Sequence, residues 1–345
     1  MRALHIPEPR KHYVTDVPTP NIVDDEVLIE VKLCATCTQW DITTWTGVDI
    51  FERENYPQYP LPAGATGHEL AGVVVKAGRD TNRLKVGDRV ALWDTPPGDG
   101  RPAQNGGYAE YYAGHERNFV RYPEAFPFEW AALTELLTCL TAALFKAGEV
   151  AGKRVGVSGL GPAGLMAVQA LKARGAKEVV AFDIAPDRIE LAVKLGADRG
   201  MVPESDEWKE FLPTASNLDI AIDCIGLARS VNNLMRITKH QLIIFGVPHG
   251  DIRFSMDAWF KDLLIQPSGP RSETGAHYAG HLLTSGQVKV DDFINAVLPL
   301  DRYDEGVGLL IDKKAIKIGF DPQLSVQGEG TVMPVKKSEQ RLIEA

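Results

Sequence analysis

The stretch RVGVSGLGPAGLMAVQALKARG, residues 154–175, constrains the fold more than any other. Its valine-rich start reads as a buried strand, and the apolar spacing of LMAVQALKARG reads as a helix. Between them lies Gly159-Leu160-Gly161-Pro162-Ala163-Gly164. A lone GxGxxG arises by chance. One that closes a strand, opens a helix and precedes a second strand, VVAFDI, marks a βαβ unit that takes a dinucleotide. There Gly159 permits the tight turn, Gly161 lets the backbone approach a pyrophosphate, and Gly164 lets helix and strand pack closely. Pro162 and Ala163 begin the helix, whose unpaired N–H groups favour negative charge.

VVAFDI ends in Asp183, 22 residues after Gly161. A carboxylate at that place binds the adenosine ribose hydroxyls and repels a 2′-phosphate, so NAD is expected over NADP. Arg188 pulls the other way, because a nearby arginine can accept that phosphate. The alternation continues through PDRIELAVKLGA, LDIAIDCIG, ARSVNNLMRIT and QLIIFGVP. This order predicts a doubly wound parallel sheet with helices on both faces, a Rossmann domain. Ile225 and Gly226 of CIG, with Phe245 and Val247 of FGV, then end later strands on its ligand-binding edge.

The first ~125 residues have another texture. In VLIEVKLC, Val27, Ile29, Val31 and Leu33 share one face while Glu30 and Lys32 point away. LAGVVVKAG and GDRVALW follow, with no convincing long helix, so an all-β unit, a barrel, is expected. FEWAALTELLTCLTAALFKAG predicts one long buried helix or two short ones. With 345 residues, two domains are the natural division: 1–127 with 286–345, and 128–285. The polar tail after Pro322 reads as an arm or a partly disordered segment.

A formal charge of −9 disfavours nucleic acid and anionic membranes as partners. No run approaches the apolar length of a membrane span, and the N-terminus lacks a secretory signal. Four cysteines without an export signal point to a reducing compartment, the cytoplasm by default.

Two of those cysteines, Cys34 and Cys37, form a Cys-x-x-Cys. By spacing alone this is a redox pair, half of a zinc knuckle, or an accident at a strand end. His68 is a good zinc ligand, and Glu69 beside it can orient the site or supply an oxygen, although a His-Glu dipeptide is commonly surface chemistry.

Taken jointly, these segments resemble the zinc-dependent medium-chain dehydrogenase/reductase family of alcohol and polyol dehydrogenases. The resemblance rests on Gly67-His68-Glu69-Leu70-Ala71-Gly72 with Gly78, on GDRV at 87–90, NGGYAEY at 105–111, the glycine loop and FGVP, and covers about residues 1–322. It implies a GroES-like β-barrel catalytic domain beside the Rossmann domain. It also implies that Cys37 binds a catalytic zinc ion and that Cys34 only packs. His68 and Glu135 complete the metal set, with water, substrate or Glu69 in the fourth position. A glutamate third ligand suits the polyol and sugar branches. The segment between Val90 and Gly106 lacks the four cysteines of a structural-zinc lobe, so one zinc per chain is expected. In this family zinc acts as a Lewis acid on an alcohol, which yields hydride to NAD while a hydroxyl relays the proton. Homodimers or homotetramers are expected, with small alcohols or carbonyls as substrates.

The chain departs from the family at three places. Thr81 stands where a small apolar residue or serine is usual. In Cys37-Thr38-Gln39-Trp40-Asp41 the relay hydroxyl and the carboxylate are each displaced by one, so either a bulge restores Thr38 and Asp41 to their roles or the relay differs. The longer loop GVDIFERENYPQYPLP carries Phe51, Tyr56 and Tyr59, and either shapes the substrate pocket or is plain surface. His277 and His281 of HYAGH share a helix face without a third ligand and read as solvated. A zinc-free quinone or enoyl reductase of the same superfamily, and a non-catalytic NAD sensor, are the competing functions.

Overall fold

The computed structural model describes residues 1–49, 56–95, 105–211 and 218–325. Phe51, the segment expected to lack a structural-zinc lobe beyond Thr95, and the tail beyond Ser325 lie outside the described residues. Two compact units account for the chain: Met1–Leu136 with Val290–Ala345, and Leu137–Lys289.

The first unit contains β1 (Arg2–Glu8), β2 (Lys11–Asp16), β3 (Glu26–Ala35), α1 (Thr38–Thr46), β4 (Glu69–Ala77), β5 (Arg89–Leu92), β6 (Tyr111–His115), β7 (Phe119–Tyr122) and α2 (Phe128–Ala131). Helix α3 (Thr134–Lys146) leads into the second unit. That unit runs β8 (Arg154–Ser158), α4 (Pro162–Ala173), β9 (Glu178–Phe182), α5 (Pro186–Lys194), β10 (Arg199–Met201), α6 (Asp206–Phe211) and β11 (Leu218–Asp223). It continues with α7 (Ala228–Ile237), β12 (Thr238–Ile244), α8 (Met256–Phe260), β13 (Leu264–Pro267) and α9 (Glu273–Thr284). β14 (Ile294–Leu298), α10 (Tyr303–Ile311) and β15 (Lys317–Phe320) return to the first unit.

In the first unit a seven-stranded sheet pairs in the order β14-β15-β3-β4-β5-β7, with β6 also on β3, and β1-β2 form a separate hairpin. The expected alternation holds on β3, where Val27, Ile29, Val31 and Leu33 are buried. Val27, Ile29 and Val31 join Leu70, Val74, Tyr108, Tyr303, Ile318 and Phe320 in the core. The expectation of no long helix left α1, a nine-residue helix, unforeseen. TQWDITTWT is rich in Thr and Trp, poor helix formers, and gives no amphipathic signal. Its helix is set by tertiary anchors: four of its nine residues are buried, and Gly47 closes it in the left-handed conformation.

The second unit has a six-stranded sheet in the order β10-β9-β8-β11-β12-β13. Every pairing in it is parallel. Counted along the chain this is 3-2-1-4-5-6, the dinucleotide-binding order, with its crevice where β8 and β11 diverge. Phe182, Trp208, Phe211, Leu218, Leu234 and Leu242 build the core on one face.

The unit boundaries differ from the sequence expectation, and hydrogen bonds explain why. Tyr122 Oη and Thr134 Oγ1 bond at 2.6 Å, tying the start of α3 to the first unit. Gln169 on α4 bonds both the carbonyl and the N–H of Lys289, carrying the second unit beyond residue 285. The segment before β8 forms two helical pieces. Contrary to the expectation that no run nears a membrane span, Phe128–Lys146 has the length and composition of one, with 67% of it buried in the protein. Leu133, Leu137, Leu140 and Leu144 are fully covered, so its apolar surface serves the core.

Candidate active site

Cys37 is placed by the end of β3. Thr36, fully buried, donates its N–H to Ile318 O and accepts the Ile318 N–H at Oγ1, which staples the strand end to β15. Cys37 then takes extended geometry as the N-cap of α1, and its carbonyl accepts the Asp41 N–H at 2.9 Å. On the other side of β3, the antiparallel register sets Ala35 opposite Glu69 and Cys34 opposite Leu70. Register alone therefore brings His68 and Glu69 to Cys37 from 31 residues along the chain. Gly67 permits this approach, since a Cβ there would lie 2.5 Å from Tyr108 N and 2.9 Å from Cys34 Sγ.

The Sγ of Cys37, a ring nitrogen of His68 and a carboxylate oxygen of Glu69 all lie within 4.8 Å of one another. His68 Nδ1 is 2.7 Å from Thr66 O. A carbonyl only accepts, so Nδ1 carries the hydrogen and Nε2 is left for a metal. Burial pushes His68 down, but Cys37, hydrogen-bonded to it, and then Glu135 and Glu69 raise it to about 10. Burial pushes the Cys37 thiol up, partly opposed by His68. A cation would replace the proton that these neighbours hold on His68. Glu135, 4% exposed at the start of α3, lies outside that group but acts electrostatically on His68, Glu69 and Lys317.

Lys317, the first residue of β15, is absent from the sequence reading. It is 1% exposed, and Nζ donates to Glu69 Oε1 at 2.7 Å, to Oε2 at 2.6 Å and to Thr36 O. Burial pushes its pKa down, but Glu69, then Cys37, hold it up, so the two residues form an ion pair. The donor set of cysteine sulfur, imidazole and carboxylate at Cys37, His68 and Glu69 suits zinc, which would displace the Cys37 proton on binding. The signal in the sequence was a lysine inside the apolar run AIKIGF.

The displaced relay segment resolves differently for its two members. Thr38 Oγ1 is buried beside Cys37 without a hydrogen-bond partner among the described residues, so it fits the hydroxyl role. Asp41 does not fit the relay: its carboxylate accepts from Tyr108 Oη at 2.9 Å and from Tyr303 Oη at 2.8 Å, deep in the core. Burial pushes Asp41 up while the two tyrosines pull it down. It therefore anchors α1. Cys34 is buried and outside any disulfide, a packing residue. Tyr56 packs edge-on against Trp40, and Tyr59 donates to Thr44 O, so both brace α1. His277 makes an exposed contact with Glu273 and His281 is exposed, a solvated face.

In the second unit the glycines behave as their spacing implied. Gly159 has φ +87°, and a Cβ on Gly164 would lie 1.8 Å from Gly159 O. The space beside Gly161 is open, and no side chain caps α4 ahead of Pro162 and Ala163, leaving its first-turn amides for an anion. Asp183 is no loose strand end: Oδ2 accepts the Leu160 N–H at 2.7 Å and Oδ1 the Ala185 N–H at 2.9 Å. Arg188 Nε lies 3.8 Å from Asp187. Ile225 covers Gly159, and Gly226 at φ +86° touches Val247 O. Phe245 and Val247 line a cavity of about 410 Å³ with Ile265 and Ser268. One network was missed: beneath the loop, Ser230 donates to Asp223 Oδ1 and bonds Ser158.

Known proteins match this arrangement. Residues 23–124 match the alcohol dehydrogenase GroES-like domain, and residues 162–272 the zinc-binding dehydrogenase domain. L-threonine 3-dehydrogenase of Caldanaerobacter subterraneus subsp. tengcongensis is 29% identical, covering 88% of this chain and 93% of its own. D-arabinitol dehydrogenase 1 of Uromyces fabae is 26% identical, over 93% and 97%. The crystal structure of 2R,3R-butanediol dehydrogenase from Bacillus subtilis superposes with a TM-score of 0.81 at 24% identity, over 93% and 99%. A GroES-like unit with a cluster of candidate metal ligands and a Rossmann unit with a glycine loop define an oxidoreductase of the alcohol and polyol dehydrogenase type. The chain belongs to the zinc-dependent medium-chain dehydrogenase/reductase family.

Proposed function

We propose that the protein oxidises a polyol, sugar or other secondary alcohol with NAD, using one zinc ion per chain held by Cys37, His68 and Glu135. The observation that carries this reading is the cluster of Cys37, His68 and Glu69 with ligand atoms within 4.8 Å of one another, the first two half-buried and Glu69 buried; Glu135 as third ligand is supported by the family resemblance, with Glu69 beside it for the fourth position. Bound there, zinc supplies a Lewis acid that makes an alcohol hydroxyl more acidic. The chain's own residues do the rest. Thr38 Oγ1 takes the proton, Thr66 O keeps His68 in the tautomer that frees Nε2, and Lys317 neutralises Glu69.

Asp183 supports NAD over NADP, since its carboxylate is fixed toward the glycine loop, and Arg188 faces Asp187. D-arabinitol and L-threonine, named for two relatives, both carry secondary hydroxyls, which supports that substrate class. Formation of NADH with a panel of polyols, sugars and secondary alcohols tests the reading. Turnover with NAD, lost on chelation and regained with zinc, is expected; turnover only with NADPH and an enone or quinone overturns it.

We also propose a homodimer or homotetramer formed through the free edge of the Rossmann sheet, and a cytoplasmic setting. Leu264 on edge strand β13 is exposed, beside Phe254, Met256, Trp259 and Phe260 on and before α8. Such an apolar edge favours pairing with a like edge. Light scattering on Trp259→Glu should show a smaller species than wild type; unchanged mass rules this edge out. Cys34, Cys37, Cys139 and Cys224 are all outside disulfides, in keeping with a reducing compartment.

A further inference from the structure

Strand β11 ends in Asp223 where the strand order of the Rossmann sheet reverses, opposite Ser158 of β8 and Ile244 of β12. The residue is fully buried, and a carboxylate in such a place needs partners for its oxygens. It has them. Oδ2 accepts the Gly226 N–H at 2.7 Å, and Oδ1 accepts from Ser230 Oγ at 2.6 Å. The hydroxyl hydrogen of Ser230 goes to Asp223, so Ser158 donates across the 2.9 Å between the two serine oxygens. The chain from Ser158 through Ser230 to Asp223 therefore runs in one direction, from β8 by way of the first turn of α7 to β11. Burial, the larger effect, pushes the Asp223 carboxyl up, against Ser230, Gly226 and Ile225, which pull it down.

The backbone of the same residue holds the next wall. Asp223 O accepts the Phe245 N–H at 2.8 Å and the Gly246 N–H at 2.9 Å, and Gly226 O accepts the His249 N–H at 2.8 Å. Asp223 thus joins Ile225, which covers Gly159 of the glycine loop, to Gly226, which lies too close to Val247 O for a side chain, and to Phe245, which lines the cavity. A dinucleotide that straddles the reversal with its adenosine ribose toward Asp183, just beyond β9, lays its nicotinamide half on the β11–β12 side. The walls that Asp223 joins are on that side.

We propose that Asp223, acting with Ser230 and Ser158, is a positioning residue for the nicotinamide half of the cofactor. Its hydrogen bonds hold the Ile225–Gly226 turn and the Phe245–Val247 turn at a fixed spacing beside the glycine loop. This rests on the dinucleotide reading above. The adenosine half, toward β9, does not depend on it.

NADH fills both halves of the crevice and AMP only the adenosine half, so comparing them separates positioning from a general loosening of the fold. Both are titrated calorimetrically into the full chain as wild type, Asp223→Ala, Asp223→Asn and Ser230→Ala. In Asp223→Ala the NADH affinity should fall about tenfold or more, because hydrogen bonds to a charged group are lost, while AMP affinity stays the same. Ser230→Ala should lose about threefold for NADH, again with AMP unchanged. Asp223→Asn should stay close to wild type for both. Its oxygen still accepts from Gly226, and its amide can donate to Ser230, whose hydroxyl then turns to Ser158.

A ratio of NADH to AMP affinity in Asp223→Ala equal to wild type overturns the proposal; if that variant fails to fold, an equal ratio in Ser230→Ala does so. A loss in Asp223→Asn as large as in Asp223→Ala also overturns it, since charge and not these bonds would then set the site. A wild type that binds neither NADH nor AMP overturns the dinucleotide reading itself, and this proposal with it.

Discussion

The two sites of this protein are built on opposite plans. The dinucleotide loop spans six consecutive residues, Gly159 to Gly164, and works through what is missing: Cβ atoms that would strike Gly159 O or fill the space beside Gly161. The candidate metal cluster draws on separate segments, Cys37 after β3 and His68–Glu69 at the start of β4, with Lys317 of β15 bonded to Glu69, and works through charge that must be paired. A loop made of backbone tolerates no added atom. A cluster made of charge tolerates no lost partner.

Three substitutions set those plans against each other. The largest effect is expected from Lys317→Ala in metal-free protein, where Glu69 loses its counter-ion: unfolding should become easier by about 3–5 kcal/mol. Zinc should restore most of that, and NAD should still protect the protein in a thermal melt. If NAD protection disappears with it, the two sites are not separable in the way described.

Gly164→Ala comes next. Its Cβ would sit 1.8 Å from a backbone carbonyl, which must cost about 1–3 kcal/mol in displaced structure. Titration should show weakened NAD binding with metal content unchanged, the mirror image of the lysine result. Wild-type NAD affinity in this variant would mean that the loop is not the cofactor site.

The smallest effect is expected from Tyr303→Phe, which takes one donor from the buried Asp41 carboxylate and leaves Tyr108 in place. Denaturant unfolding should show a loss of about 1 kcal/mol. Metal content and NAD binding should both persist, because Asp41 anchors α1 and is not one of the clustered ligands. A loss of metal would place Asp41 closer to the cluster's function than its bonds suggest.

The same contrast explains what the sequence disclosed. Gly159, Gly161, Gly164 and Asp183 lie within one βαβ unit, so local spacing carries their geometry, and the strand-helix alternation carries the sheet order. His68, Glu69 and Cys37 were legible only through the family resemblance, since strand register brings them together. Lys317 left only a faint signal, its place inside the apolar run AIKIGF: a lysine in a short strand ordinarily faces water, and nothing local says that Glu69 lies across the sheet. Helix α1 was hidden because Thr and Trp favour strands, and Asp41 because its tyrosine partners come from residues 108 and 303. The unit boundaries were misplaced by the same cause, since the bonds of Thr134 and Gln169 that fix them are long-range.

Metal content is the most direct test of the central claim that the cluster of Cys37, His68 and Glu69 marks a zinc site. Protein purified without added metal should carry close to one equivalent of zinc per chain, and Cys37→Ala should carry almost none. A wild type that binds NAD yet holds no zinc, even after incubation with the ion, would contradict the account.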